Sequence, residues 1–228
     1  MLKSAVGLRI NPLNTLAGLQ DIQFLADTNL RPEFLIIPKC ESVEILAMLD
    51  QLLIEIRIEP LIIALLETVT GVQRCHEIAA HPNCRALAFG AYDYVAEAGC
   101  ALTQQSLLAP RLAIASAANA NGIMSLDSPY GDITDLSGAR KDAEHAVSLG
   151  FSGKLCIHPK FIEDVNRAFS PSEEEMAEAR QIIAAYEAAG TGVFQYRGKM
   201  VDRPVLLRAE KVLARAEEMS ARSSRDDA

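Results

Sequence analysis

The stretch "FGAYDYVAEAG" (residues 89–99) reads as the end of a buried strand running directly into a helix, with Asp93 standing where the strand should stop. An earlier apolar run, "PLIIALLET" (60–68), ends in a second acid, Glu67. The placement matters because parallel α/β folds bind their ligands at the carboxyl ends of the strands. Two acids at two strand ends pose a choice between a metal site and ordinary helix-start residues, and that choice bears on whether the chain is an enzyme.

Working outward, short apolar runs recur between segments of helical length. The predicted strands are "VGLRI" (6–10), "EFLIIP" (33–38), "LIIALLE" (61–67), "ALAFG" (86–90), "GIMSLD" (122–127) and "GKLCIHP" (153–159). They are continuous rather than alternating, as expected for strands covered on both faces of a parallel sheet. Helices are predicted over "SVEILAMLDQLL" (42–53, with Ser42 as cap), "GVQRCHEIAAH" (71–81), "QSLLAPRLAIASAANANG" (105–122) and "LSGARKDAEHAVSLG" (136–150). The Asn-Gly pair at 121–122 and Gly150 are stop signals. A strand–helix unit repeated six times argues for an α/β fold with right-handed crossovers.

Beyond residue 159 the pattern changes. "SPSEEEMAEARQIIAAYEAAG" (170–190) opens with Ser170, a proline and three acids, which favours a helix start. "GTGVFQYRGKMVD" (190–202) reads as a hairpin turning at Arg197-Gly198, and a final amphipathic helix follows from Arg203. The expected division is a β/α domain over 1–169, a helix–hairpin–helix extension over 170–219, and a disordered tail over 220–228.

Composition narrows the function classes. Of 228 residues half are hydrophobic, enough for a substantial core. The 22 basic and 30 acidic residues give a net charge of −8 with no basic stripe, so nucleic acid is not an expected partner. Five cysteines without a CxxC pair predict free thiols rather than zinc or disulfides. No apolar run reaches the ~18–20 residues of a membrane helix and no signal peptide opens the chain, so a cytoplasmic protein is expected.

The strand ends carry Arg9, Lys39, Glu67, Gly90 to Asp93, Asp127 and His158. Glu67 and Asp93 suit Mg²⁺, which takes few protein carboxylates and keeps waters. Equally, each acid can simply favour the helix that follows it, and spacing leaves both readings open. Arg9 would add a fixed cation, or form a structural ion pair. Gly90-Ala91 would let backbone N–H groups approach an anion. Asp202 reads as a cap for the last helix, with Pro204 in its first turn. A Rossmann protein is disfavoured because no GxGxxG follows a strand.

The segments "LRINPL", "LIIPKCES", "LLETVTGV", "FGAYDY", "LDSPYGDITD", "GFSGKLCIHPKFIEDVNRAFSPSEEEMAEAR" and "GKMVDRP" resemble, in order, the citrate lyase β-subunit-like branch of the HpcH/HpaI aldolase superfamily. The resemblance implies a TIM-type (β/α)8 barrel that makes or breaks a carbon–carbon bond beside a carbonyl, usually on CoA thioesters. It implies Glu67 and Asp93 as ligands of Mg²⁺ (or Mn²⁺), with Glu67 also lining the substrate site. Arg9 becomes the arginine that steadies the enolate and keto oxygens, and the amides of Gly90, Ala91 and Tyr92 take the keto-acid carboxylate. Asp202 corresponds to an aspartate that in some trimeric relatives enters a neighbour's site, so a homo-oligomer, a trimer first, is expected. The implied substrates are malyl-, citramalyl- or citryl-type CoA thioesters, and the implied activity is a lyase or thioesterase.

Family members carry two further βα units ahead of the "RIN" strand, with a Pro-Gly loop and an Asp-Leu-Glu-Asp segment. Here Met1 stands just before the third strand of that scheme, so six of the eight strands are assigned. The expected architecture is therefore a barrel shortened to about six βα units, whose first and last strands lack a partner where two more would fill the gap. The alternative function is a non-catalytic or truncated paralogue, or an assembly subunit that keeps the scaffold.

Overall fold

The computed structural model describes residues 5–190 and 192–226, and these divide into two compact units, Met1–Val165 and Asn166–Ala228. In the first unit, β1 (Gly7–Arg9) leads to α1 (Leu16–Asp27), β2 (Phe34–Ile37), α2 (Val43–Ile56) and β3 (Leu61–Leu66). Two short helices, α3 (Val69–Gln73) and α4 (Cys75–Ala79), precede β4 (Cys84–Phe89) and α5 (Ala91–Ala98). Then come α6 (Gln104–Ala120), β5 (Met124–Asp127), α7 (Leu136–Ser148), β6 (Gly153–Lys154) and α8 (Ile162–Phe169), which passes into the second unit.

The six strands form one sheet in the order β1-β2-β3-β4-β5-β6, every pair parallel. A sequential order without reversal is the barrel arrangement, whereas a doubly wound sheet reverses at a switch point. Among the described residues β1 pairs only with β2 and β6 only with β5, so the sheet does not close on itself. The centre of the core lies along β3 and β4, where Ala64, Leu66, Leu87, Ala88 and Phe89 have no exposed surface. Each fully buried large side chain there contributes about 1.5–3 kcal/mol.

Three expectations are adjusted. "GKLCIHP" is a strand for two residues only. Leu155 N–H still reaches Asp127 O at 2.9 Å, but His158 then caps a 3-10 turn at Pro159–Phe161, its Nδ1 accepting from Lys160 N–H. The "GVQRCHEIAAH" helix breaks into α3 and α4 at Arg74. Helix α1 was not predicted, because exposed Leu16, Leu19 and Phe24 blur its apolar stripe.

The second unit holds α9 (Glu173–Ala189), β7 (Phe194–Tyr196), β8 (Lys199–Val201) and α10 (Arg203–Asp226). The cap of α9 is Ser172, not Ser170: Ser172 accepts from Glu175 N–H and Glu175 accepts from Ser172 N–H, a reciprocal capping box. The hairpin turns at Arg197-Gly198, both with positive φ (47° and 77°), as a two-residue turn matched to strand twist requires. Thr191 and the last two residues of the expected tail lie outside the described residues. No described helix is long and apolar enough to cross a membrane.

A buried ionic cluster ties β5, β6, α6 and α7 together. Arg111 makes two hydrogen bonds to Asp127 (2.9 and 3.0 Å) and one to Asp142 (3.0 Å), while Lys154 Nζ lies 2.6 Å from Asp127 and 2.5 Å from Asp142. Burial works to raise the Asp142 carboxyl, but Lys154 and Arg111 outweigh it and hold its pKa below the ordinary value. The same two acids overcome burial at Arg111 and raise its pKa. Two cations thus balance two anions out of water. Removing one partner of such a cluster leaves an uncompensated buried charge. Lys154→Met is therefore expected to lose about 3–5 kcal/mol of unfolding free energy in denaturant titration, and a loss within ~0.5 kcal/mol, the scale of surface changes, would show that the cluster does not act as a buried unit.

Candidate active site

The site is built at the carboxyl rim of the sheet. Parallel register sets Arg9 beside Ile36, Ile37 beside Ala64, and Leu66 beside Phe89, so the residues that follow each strand share one edge. Glu67 follows β3 directly, and only 7% of its surface is exposed. Its Oε1 accepts the backbone N–H of Lys39 at 3.0 Å. Lys39 itself sits in the left-handed region, φ 47°, a costly conformation for a residue with a Cβ. Its amide nevertheless satisfies a buried carboxylate, which leaves few alternatives for the chain at that corner.

The other side of Glu67 is lined by Gly90, the cap residue of α5. A Cβ on Gly90 would lie 2.5 Å from Glu67 Cβ and 2.9 Å from Oε2, so no other residue fits against this carboxylate without displacing it. Asp93, exposed in the first turn of α5, acts electrostatically on Glu67. Burial, and then the Asp93 charge, raise the Glu67 pKa; the Lys39 amide and the charges of Lys39 and Arg9 pull the other way without cancelling the rise. Glu67 is therefore a buried carboxylate with incomplete compensation, under the like charge of Asp93.

Two of the first amides of α5 are already used. Gly90 N–H donates to Leu66 O at 3.0 Å and Ala91 N–H to Ser128 Oγ at 3.1 Å. The N–H groups of Tyr92 and Asp93 are the two left open in that turn, since the first amides of a helix have no intrahelical acceptor. Tyr92 folds its hydroxyl over the residue after Tyr130, where a Cβ on Gly131 would collide with it.

The first unit thus places Arg9, Glu67, and Gly90 through Asp93 at or just after the ends of β1, β3 and β4 on one rim, with Arg9 and Asp93 both acting electrostatically on Glu67. Asp202 stands in the second unit, capping α10 with Oδ1 3.3 Å from Val205 N–H. The sequence marks Lys39 and Ser128 only as strand-end residues, with no sign of the hydrogen bonds they make. A lysine forced to positive φ cannot be recognised from composition, and a serine after a strand is common.

A family model for HpcH/HpaI aldolase/citrate lyase matches residues 1–159, and one for carbon–carbon bond lyases of the TIM-barrel fold matches residues 117–220. The chain belongs to the HpcH/HpaI aldolase/citrate lyase family. Across 249 residues it is 32% identical to an L-malyl-CoA/beta-methylmalyl-CoA lyase of Cereibacter sphaeroides, covering 96% of this chain and 78% of that enzyme. A citrate lyase subunit beta-like protein of Deinococcus radiodurans is 35% identical over 217 residues, covering 92% of this chain and 75% of that one. Among solved structures, the CitE protein of Mycobacterium tuberculosis in complex with magnesium, acetoacetate and coenzyme A superposes with a TM-score of 0.77 at 34% identity. That likeness spans 92% of this chain and 78% of that one. Family membership makes this chain an enzyme of the carbon–carbon lyase type with a TIM-barrel-type fold.

The raised Glu67 pKa has a sign that can be tested on the metal-free lyase. The folded state holds the Glu67 proton more tightly than the unfolded chain does, so ionised Glu67 lowers stability. That cost is absent below the ordinary glutamate range near ~4.3 and complete above the raised folded pKa. Glu67→Gln keeps an acceptor for Lys39 and is expected to melt higher than the parent at pH 7, with the difference vanishing near pH 4. A lower melting temperature at pH 7 would mean that the cations, not burial, dominate at Glu67.

Proposed function

We propose that the protein is a Mg²⁺-dependent carbon–carbon lyase acting on the CoA thioester of a hydroxy acid, with a malyl-type thioester as the first choice. The observation that carries this reading is that buried Glu67 leaves β3 at the rim where the paired strand β4 leads into α5 and its first-turn acid, Asp93, with only partial relief from Lys39 and Arg9. A divalent cation between Glu67 and Asp93 would offset their like charges. No group of three or more His, Cys, Asp or Glu side chains capable of holding a metal occurs among the described residues. Two carboxylates with the remaining positions left to water and substrate oxygens suit Mg²⁺ and not a closed zinc site. The magnesium, acetoacetate and coenzyme A of the M. tuberculosis structure, and the names of the malyl-CoA lyase relatives, support the metal and substrate class.

In the cleavage direction the alcohol loses its proton and its oxygen becomes a carbonyl. The carbon–carbon bond breaks, and its electron pair passes to the carbon beside the thioester. Protonation there releases an acyl-CoA, and the other product is a 2-oxo acid. Glu67 and Asp93 would hold the ion, which when bound supplies Lewis-acid polarisation and charge neutralisation. Arg9, exposed at the end of β1, offers a fixed cation where negative charge develops. The open amides of Tyr92 and Asp93, at the positive end of α5, suit the carboxylate of the acid. Lys39 adds a second cation for an anionic substrate.

Asp202 belongs to the proposal as the acid that protonates the departing carbon, or activates water on the thioester, in a neighbouring subunit of a trimer. Its support is the "GKMVDRP" resemblance; Asp202 Oδ1 also accepts from Val205 N–H as a cap of α10.

Isothermal calorimetry with MgCl₂ and turnover of malyl-, citramalyl- and citryl-CoA test the proposal directly. Asp93→Ala is expected to abolish the Mg²⁺ heat, and Arg9→Gln to keep it while losing about 10²–10³-fold in kcat, the usual cost of one transition-state donor. Wild-type protein with no Mg²⁺ heat overturns the reading. For Asp202→Asn the expectation is unchanged Mg²⁺ affinity with turnover lowered about 10²–10⁴-fold, the range of a proton-transfer group; full turnover would leave Asp202 as a helix cap alone.

A further inference from the structure

Helix α5 carries Asp93, and something must fix its first turn if Asp93 is to face Glu67. Two hydrogen bonds do so. One, Gly90 N–H to Leu66 O, comes from the residue before Glu67 and keeps α5 on β3. The other, Ala91 N–H to Ser128 Oγ at 3.1 Å, comes from the end of β5 and is buried, with Ser128 only 2% exposed. Ser128 is held in turn. Its carbonyl accepts from Lys154 Nζ, and the preceding Asp127 is fully buried, gripped by Arg111 and Lys154. The chain of contacts runs from the ionic cluster, through one peptide, to the helix that presents Asp93.

We propose that Ser128 is a positioning residue for the metal site. Its hydroxyl sets the first turn of α5, and the Arg111–Asp127–Asp142–Lys154 cluster sets the hydroxyl. The inference rests on the Glu67–Asp93 reading above and extends it to groups that touch neither ion nor substrate. Partners bonded directly to a metal ligand commonly change affinity by about 10–100-fold, and Ser128, acting through the Ala91 amide, is expected at the low end of that range.

The test compares Ser128→Ala with Ser152→Ala in the full chain. Ser152 makes two comparable side chain–backbone bonds to Ser125 on the same strand, at 2.8 and 3.0 Å, and makes none to α5. Both variants are expected to lower the melting temperature. Only Ser128→Ala is expected to weaken Mg²⁺ binding in calorimetry, by about tenfold, and to speed amide exchange in a peptide covering 89–98. Ser128→Thr, which keeps the hydroxyl, should recover both. Equal Mg²⁺ affinity in Ser128→Ala and wild type overturns the inference and leaves the metal reading intact, as does equal loss in Ser128→Ala and Ser152→Ala. Wild type without Mg²⁺ affinity overturns the metal reading, and the inference with it. Should Ser128→Thr not fold, the exchange and affinity contrast between the two alanine variants decides alone.

Discussion

Six strands running parallel in sequence order are the constraint on which the rest of the first unit depends. Because every ladder is parallel, the carboxyl ends of β1 to β6 fall on one rim, and the residues that leave each strand meet there. Arg9, Lys39, Glu67, Gly90 and Ser128 are far apart in sequence, yet each is the residue at, or one or two beyond, the end of its strand. An antiparallel pairing would send alternate ends to the opposite edge and scatter them. The chemistry of the rim is thus a consequence of strand direction before it is a consequence of any side chain.

Two carboxylate pairs contrast: Asp127 with Asp142, buried or half-buried, and buried Glu67 with exposed Asp93. Asp127 and Asp142 are matched by Arg111 and Lys154 at hydrogen-bond distance, and the group is electrically closed. Glu67 and Asp93 are not matched: Glu67 has one amide bond, two cations acting at longer range, and a like charge beside it. In a low-dielectric setting the first arrangement is self-sufficient, and the second is short of positive charge.

Local conformations support the same division. Lys39 at φ 47° and Gly90 against the Glu67 side chain are departures from easy backbone or packing choices, and both lie around one carboxylate. In the second unit the capping box at Ser172 follows local rules, and Arg197, at the same φ of 47° as Lys39, takes it because a two-residue hairpin turn requires it.

From sequence alone, the continuous apolar runs identified the parallel strands, and the acids ending "PLIIALLET" and "FGAYDY" identified the rim residues Glu67 and Asp93, since burial on both faces and strand-end placement leave direct marks in the residue pattern. The hairpin was legible because positive φ at Arg197-Gly198 is a local demand that glycine answers. Helix α1 and the shortness of β6 were not, because exposed leucines in one and an apolar loop in the other counterfeit the wrong period. Only the tertiary structure decided that Lys39 donates its amide to Glu67 and that Ser128 holds Ala91. Contacts between residues 28 and 37 positions apart in sequence, as these are, have no periodic signature; they exist because neighbouring parallel strands end together.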